Sequence, residues 1–108
     1  MLMTKTTLTI GLNDKDCEKQ LISSETAKSI IGNTLICKFG IYAYTLTECF
    51  GVYRMVSTGN IVHEKSLKVE IASEEAIPAL DSIVSTLKTM LNQESIMIEQ
   101  EVKEIRFE

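Results

Sequence analysis

The stretch Phe50-Gly-Val-Tyr-Arg-Met-Val-Ser-Thr-Gly-Asn-Ile-Val-His-Glu-Lys-Ser66 decides the fold of this chain. Two segments rich in β-branched and aromatic residues lie on either side of Ser57-Thr-Gly-Asn60. This arrangement predicts a β-hairpin, because such segments favour strands and a short glycine-containing segment favours a turn. The β-rich character continues outward over residues 42–56 and 61–72, which are the predicted second and third strands.

The residues before the hairpin predict one strand and one helix. Residues 5–12 alternate between polar and aliphatic side chains, as a half-buried strand does. The polar residues 13–22 form a predicted loop. Ser24 is the expected N-cap of the first helix, which should end near Lys38 because Gly40 favours a helix stop.

The residues after the hairpin predict a second helix and a fourth strand. Ser73-Glu74-Glu75 opens the helix, and Pro78 falls in its first turn, where it removes no helical hydrogen bond. Apolar residues follow at helical spacing, namely Ile77, Leu80, Val84, Leu87 and Leu91. Residues 95–107 form the last strand, and a bulge or a bend near Lys103-Glu104 would explain why its apolar residues change parity there.

The predicted order is β-α-β-β-α-β, which is the split βαβ or ferredoxin-like arrangement. Right-handed crossovers place two helices on one face of a four-stranded antiparallel sheet, with the first and third strands in the centre. The length of 108 residues is that of one α+β domain, which we expect to span residues 1–108.

The composition argues against several classes of function. A formal net charge of −4 and scattered basic residues disfavour nucleic acid or an anionic membrane surface as the partner. The first residues contain no apolar run that would suit a signal peptide or a membrane span. Cys17, Cys37 and Cys49 lack close pairing, which suits a reducing compartment and small buried side chains. We therefore expect a cytoplasmic protein without metal or cofactor.

The connectivity predicts a candidate binding site at one end of the sheet. The loop after the first strand, the turn at 57–60 and the segment 93–95 should meet there. A two-residue turn pairs Tyr53 with Glu64, or a pair shifted by two, and either register keeps both on the face without helices. The candidate binding residues are Gly51, Tyr53, Glu64, Ser66, Gln93, Glu94 and Ser95.

The second strand is apolar on both faces, which is unusual for a strand with one solvated face. Its alternating sets are Tyr44, Leu46, Phe50 and Val52 on one side and Ala43, Cys49, Tyr53 and Met55 on the other. We therefore expect a homo-oligomer, with a dimer favoured, in which another subunit covers part of the open face.

The same residues carry a family resemblance. The runs Gly51-x-Tyr53, Gly59-x-Ile-x-x-Glu64-x-Ser66 and Gln93-Glu94-Ser95-Ile96 resemble the bacterial family catalogued only as domain of unknown function 3574. The match extends weakly to Gly11 and Tyr44-Thr45. The family commonly has tryptophan at the position of Tyr53, and many members carry export signals that this chain lacks. The resemblance implies a fold and a surface but no activity.

Two hypotheses of function follow from these residues. In the first, the chain is a non-catalytic oligomeric binding or regulatory module that takes a small molecule or a protein on its open face. In the second, it is a cofactor-free enzyme with a pocket at a subunit interface, in which Glu64 is the base and Tyr53 the donor or the orienting group. A plain cross-strand pair is the alternative explanation of these two residues. No sequence signature assigns catalytic residues.

Several other residues have simpler explanations than a functional role. His63 is the only histidine, and a lone histidine near a turn is typical of a solvated surface. Asp14, Asp16 and Glu18 alternate as in part of a calcium loop, but the glycine and the distant glutamate of that motif are missing. Cys49, with Lys68 expected near it, is better explained as a small packed side chain than as a nucleophile.

Overall fold

The computed structural model describes all 108 residues, from Met1 to Glu108. Its elements follow the predicted order β-α-β-β-α-β. The strands are β1 (Leu2–Gly11), β2 (Thr45–Arg54), β3 (Ile61–Ser73) and β4 (Met97–Glu104), and the helices are α1 (Ser24–Asn33) and α2 (Leu80–Met90).

The four strands form one antiparallel sheet in the order β2-β3-β1-β4. β1 and β3 are therefore central, which confirms the predicted α+β ferredoxin-like fold. Along β1, Leu8 and Ile10 are fully buried while Thr7 and Thr9 keep partial exposure. This alternation follows from the two-residue period of a strand, which sends successive side chains to opposite faces.

The hydrophobic core lies on the helical face of the sheet. It comprises Leu8, Ile10, Leu12, Ala27, Ile31, Leu35, Leu67, Val69, Ile71, Ile77, Ile83, Leu87, Leu91 and Ile96. The opposite face is the open face, which carries the odd-numbered residues of β1, β2 and β4 and the even-numbered residues of β3. Burial of the aliphatic set drives the helices onto one face and leaves the other face available for a site.

Helix α1 begins one residue earlier than predicted. Ser23, not Ser24, is the N-cap, because its hydroxyl oxygen accepts a 3.1 Å hydrogen bond from the backbone N–H of Thr26. The helix continues into a π-helical turn at Thr34–Lys38. Gly40 then takes a left-handed conformation with φ of 68°, close to the predicted stop.

The predicted start of α2 is wrong. Ser73 is the last residue of β3, and α2 begins only at Leu80. Pro78 disfavours a helical conformation in the residue before it, so a helix cannot comfortably run through Ile77. Ala79 adopts a left-handed conformation with φ of 58°, which ends any helical path from the N-terminal side.

The predicted bulge in the last strand is also wrong. β4 pairs with β1 in unbroken register from Met97 to Glu104. The strand then ends, and Ile105 and Phe107 lie beyond the paired region. Their change of parity therefore reflects the end of the strand and needs no extra residue within it.

The hairpin adopts the shifted form of the predicted register. Gly51 faces Glu64, and the last pair is Arg54 with Ile61. The connection between the strands is residues 55–60, six residues long. Because this length is even, every side chain keeps the predicted face. Tyr53 is consequently a diagonal neighbour of Glu64 on the open face, not its direct partner.

The helices leave part of the helical face of the hairpin uncovered. Phe50 and Val52 point to that face, yet they are 63% and 57% exposed. The ring of His63, which is itself exposed, lies 5.7 Å from the ring of Phe50. Strand β2 therefore exposes apolar side chains on the helical face of the sheet as well as on the open face.

The cysteines differ from the prediction of buried side chains. Cys17 and Cys37 are exposed, Cys49 is half-buried, and all three are free thiols. Cys49 faces Ser66 across the hairpin, two residues before the expected partner Lys68.

No helix is long and apolar enough to cross a membrane.

Candidate functional site

All seven predicted binding residues line one cleft of about 510 Å³ on the open face. We call it the acidic cleft. Its lining is Thr9, Gly11, Asn13, Asp14, Lys15, Glu18, Gly51, Val52, Tyr53, Met55, Glu64, Ser66, Gln93, Glu94, Ser95 and Met97. The first loop and the segment after α2 meet there as predicted, but the hairpin turn at 57–60 contributes no residue.

Glu64 is the half-buried carboxylate of the acidic cleft. Its Oε2 accepts a 2.9 Å hydrogen bond from the backbone N–H of Asn13. The carboxylate lies against Gly11, where an added Cβ would overlap it. Glycine at position 11 therefore makes the room that this position of Glu64 requires.

Gln93 supports the cleft from within the fold. Its side chain is buried, and its Nε2 donates hydrogen bonds of 2.8 Å to the carbonyl of Asn13 and 3.2 Å to that of Leu91. The amide thus ties the first loop to the end of α2. Since Asn13 in turn binds Glu64, Gln93 helps to position the carboxylate.

Asn92 holds the acidic part of the first loop. Its Nδ2 donates hydrogen bonds of 2.8 Å to both Asp14 Oδ2 and Asp16 Oδ2. The hydrogen bond from Asn92, followed by that from the backbone N–H of Asp16, lowers the pKa of Asp14 below its ordinary value. The two carboxylates of the first loop therefore share one hydrogen-bond donor from the segment after α2.

Tyr53 forms part of the wall of the acidic cleft beside Glu64. Partial burial raises the pKa of the Tyr53 phenol, and the negative charges of Glu64 and Glu18 raise it further. The phenol therefore stays protonated at neutral pH. It is a hydrogen-bond donor placed next to a carboxylate acceptor.

Thr9 contributes a buried polar atom without a partner. Its Oγ1 is the one buried side-chain oxygen or nitrogen in the chain that makes no hydrogen bond. Buried polar groups are almost always paired, because an unpaired group has lost its hydration without replacement. Thr9 itself is one of the residues that line the acidic cleft.

The charge of the cleft is strongly one-sided. Asp14, Glu18, Glu64 and Glu94 contribute four carboxylates, and Lys15 is the only cation in the lining. Of the remaining predicted residues, Ser66 is buried while Glu94 and Ser95 are exposed. Such a cleft favours cations and neutral polar groups over anions.

Nine of the sixteen residues that line the cleft were not among the candidate binding residues. Thr9, Asn13 and Met97 were not among the candidates, and Gly11 entered only through the family resemblance. The parity of the strands was the available signal, because Thr9 and Met97 share the open face with Glu64. Nothing local in the sequence indicates that Asn13 binds Glu64.

Comparisons with known proteins show the fold. A phage SAM lyase in complex with S-methyl-5'-thioadenosine has a TM-score of 0.68 and 20% identity, over 92% of this chain and 80% of that chain. The phage SAM lyase in its apo state has a TM-score of 0.61 and 23% identity, over 92% and 79%. The B. subtilis GlnK–ATP complex has a TM-score of 0.54 and 17% identity, over 93% and 82%. No family model and no curated protein matches the chain.

Proposed function

We propose that this chain is a small binding or regulatory module whose acidic cleft takes an adenosyl ligand that carries a positive charge. S-adenosylmethionine is the ligand of this class that we select. The observation that carries the proposal is the acidic cleft itself, with four carboxylates and the unpartnered Thr9 hydroxyl in its lining. The sulfonium and ammonium groups of this ligand complement the carboxylates, and its ribose hydroxyls suit Thr9.

The charge of the cleft separates two kinds of adenosine ligand. The structural neighbours were solved with S-methyl-5'-thioadenosine and with ATP. A triphosphate would meet Asp14, Glu18 and Glu64 at close range with only Lys15 to offset them, which is unfavourable. A cationic adenosyl compound meets no such repulsion, so we favour it over ATP.

Isothermal titration calorimetry with three ligands tests this proposal. We expect S-adenosylmethionine to bind more tightly than the neutral S-methyl-5'-thioadenosine, and ATP to bind least. Glu64→Gln should weaken binding of S-adenosylmethionine about tenfold, as loss of one charge-assisted contact would. The same change should affect the neutral ligand much less.

Glu74→Gln is the matched control, because Glu74 lies outside the acidic cleft and its neutralisation changes the net charge equally. It should leave all three affinities unchanged. Absence of binding by both S-adenosylmethionine and S-methyl-5'-thioadenosine, or preferential binding of ATP, would contradict the proposal.

A second candidate function is cleavage of the bound ligand, and the position of the protonated Tyr53 phenol near the Glu64 carboxylate favours it. In this reaction the bond from the sulfonium sulfur to the amino-acid carbon breaks, and its electron pair goes to sulfur. In the same step, either Glu64 accepts a proton from the neighbouring carbon, which leaves a carbon–carbon double bond, or the fragment's own carboxylate attacks the carbon that leaves sulfur and closes a lactone. The protein is incubated with S-adenosylmethionine, and chromatography measures the S-methyl-5'-thioadenosine that is released. Release over time indicates cleavage, and its absence indicates binding alone.

We further propose that the chain assembles with copies of itself, with a dimer favoured. The exposed apolar residues on both faces of β2 support this, since a monomer rarely leaves such surface in water. Membership of the resembled family and a bacterial cytoplasmic location stay predictions of the sequence.

A further inference from the structure

The open face carries a second groove at the end opposite the acidic cleft. The groove has a volume of about 870 Å³ and lies between the segment 42–45, before and at the start of β2, and the segment 103–107, at and beyond the end of β4. Lys5 of β1 and Glu70 and Ala72 of β3 form its floor. We call it the basic groove, and it shares no lining residue with the acidic cleft.

The lining of the basic groove has three cations against two carboxylates, which are Glu70 and Glu104. Its cations are Lys5, Lys103 and Arg106. Lys5 is neutralised by Glu70 at 3.1 Å, and Lys103 is paired with Glu101 at 3.3 Å. Arg106 makes no ion pair and no side-chain hydrogen bond, so its guanidinium is available to an incoming anion.

Exposed aromatic rings border the same groove. Tyr42 and Phe107 are each 79% exposed and lie on opposite walls, while Tyr44 is half-buried and packs against the hydrophobic core. Most of the apolar surface of both rings is therefore in contact with water, and aromatic rings pack well against another planar ring. Their position beside Arg106 combines a surface for stacking with a site for negative charge.

We propose that the basic groove binds a planar aromatic anion, with its ring between Tyr42 and Phe107 and its acidic group at Arg106. The volume is within the range of sites for small ligands. A guanidinium pairs with sulfonate, carboxylate or phosphate through two parallel hydrogen bonds, which a lysine would not supply. The ligand class is the reverse of that proposed for the acidic cleft, because the charges of the two sites are reversed.

Fluorescence titration with anilinonaphthalene sulfonate tests this site, since the probe has a planar naphthalene ring and a sulfonate. Arg106→Glu should weaken its binding about tenfold, and Phe107→Ala about threefold to tenfold. The chain offers matched controls outside both clefts, namely Arg54→Glu and Phe50→Ala. Each control changes the same side chain at an exposed position on β2 and should leave binding unchanged.

The neutral probe N-phenylnaphthylamine separates charge from stacking. We expect it to bind more weakly than the sulfonate, and Arg106→Glu should abolish that difference. Excess S-methyl-5'-thioadenosine should not displace the sulfonate, so the result does not depend on the acidic cleft. Equal losses in the groove variants and their β2 controls, or no loss in the groove variants, would overturn the proposal.

Discussion

At the scale of single residues, Gly11 and Glu64 form the contact on which the acidic cleft depends. Gly11 is at the end of β1, and its missing side chain leaves room for the Glu64 carboxylate. Gly51, across the hairpin from Glu64, is less crowded, because a Cβ there would lie 3.8 Å from the nearest atom. An added methyl group would therefore overlap Glu64 at Gly11 but make only ordinary van der Waals contacts at Gly51.

We expect Gly11→Ala to lower the free energy of unfolding by no more than about 1 kcal/mol, because the carboxylate that the methyl group would meet is the flexible end of the Glu64 side chain and is able to move aside. The new methyl group would displace the Glu64 carboxylate and break its hydrogen bond to Asn13, a bond to a charged acceptor. Urea denaturation provides the measurement. Gly51→Ala is the comparison, and equal losses of stability in the two variants would show that steric overlap with Glu64 is not the cause.

The protonation of Tyr53 gives a prediction in pH. Its pKa is raised above the ordinary value of about 10, so the folded state holds the proton longer than the unfolded chain does. The stability that Tyr53 contributes is therefore complete below pH 10 and is lost as the pH rises through the raised pKa.

Glu64→Gln should lower the pKa of Tyr53 toward its ordinary value, although burial will keep part of the shift. Ultraviolet titration of tyrosinate measures it, and Tyr53→Phe identifies the transition among the three tyrosines. An unchanged titration in Glu64→Gln would mean that the two groups do not interact.

At the scale of elements, the start of α1 illustrates how an end of a helix is chosen. Ser23 and Ser24 are adjacent and identical in type, so composition does not distinguish them. In the structure, the hydroxyl of Ser23 accepts the hydrogen bond from Thr26, while Ser24 is the first helical residue. Only the residue in the extended conformation before the helix is able to accept this bond.

We expect Ser23→Ala to reduce the free energy of unfolding by about 1 kcal/mol, the usual cost of a lost N-cap. Ser24→Ala should change it by less than about 0.5 kcal/mol, since alanine suits the first turn of a helix. Thermal or urea unfolding of both variants measures the difference. The reverse order of stability would return the cap to Ser24.

At the scale of the whole molecule, the open face has two sites of opposite charge, one at each end. Acidic residues concentrate at the end where Glu64 lies, and basic residues at the end where Arg106 lies. The formal net charge of −4 averages over both and conceals this separation. Ligand classes are therefore decided by local charge and not by the charge of the chain.

The apolar surface of β2 predicts self-association. We expect light scattering at micromolar concentration to give a dimer or a larger assembly of the wild type. Val52→Asp should shift the mass toward the monomer, because it places a charge in the proposed interface. Leu21→Asp is the control, since Leu21 is 67% exposed but lies in the loop after β1. A monomeric wild type would exclude the assembly.

The sequence by itself determined the order of elements and the face of each strand residue. Alternation of side chains is local, so it predicted that Tyr53, Glu64 and Ser66 share the open face, and an even turn length preserved that parity. The same local patterns failed at the start of α2 and in β4. There, the constraint before Pro78 and the end of pairing at Glu104 outweighed periodicity.

Only the tertiary structure decided what surrounds those residues. The contact of Asn13 with Glu64 joins positions 51 residues apart, and that of Gln93 with Asn13 joins positions 80 apart. The unpartnered Thr9 hydroxyl and the opposed charges of the two clefts likewise arise when distant segments meet. A pattern of periodicity contains no distances between such segments, so only the packed chain specifies which side chains share a site.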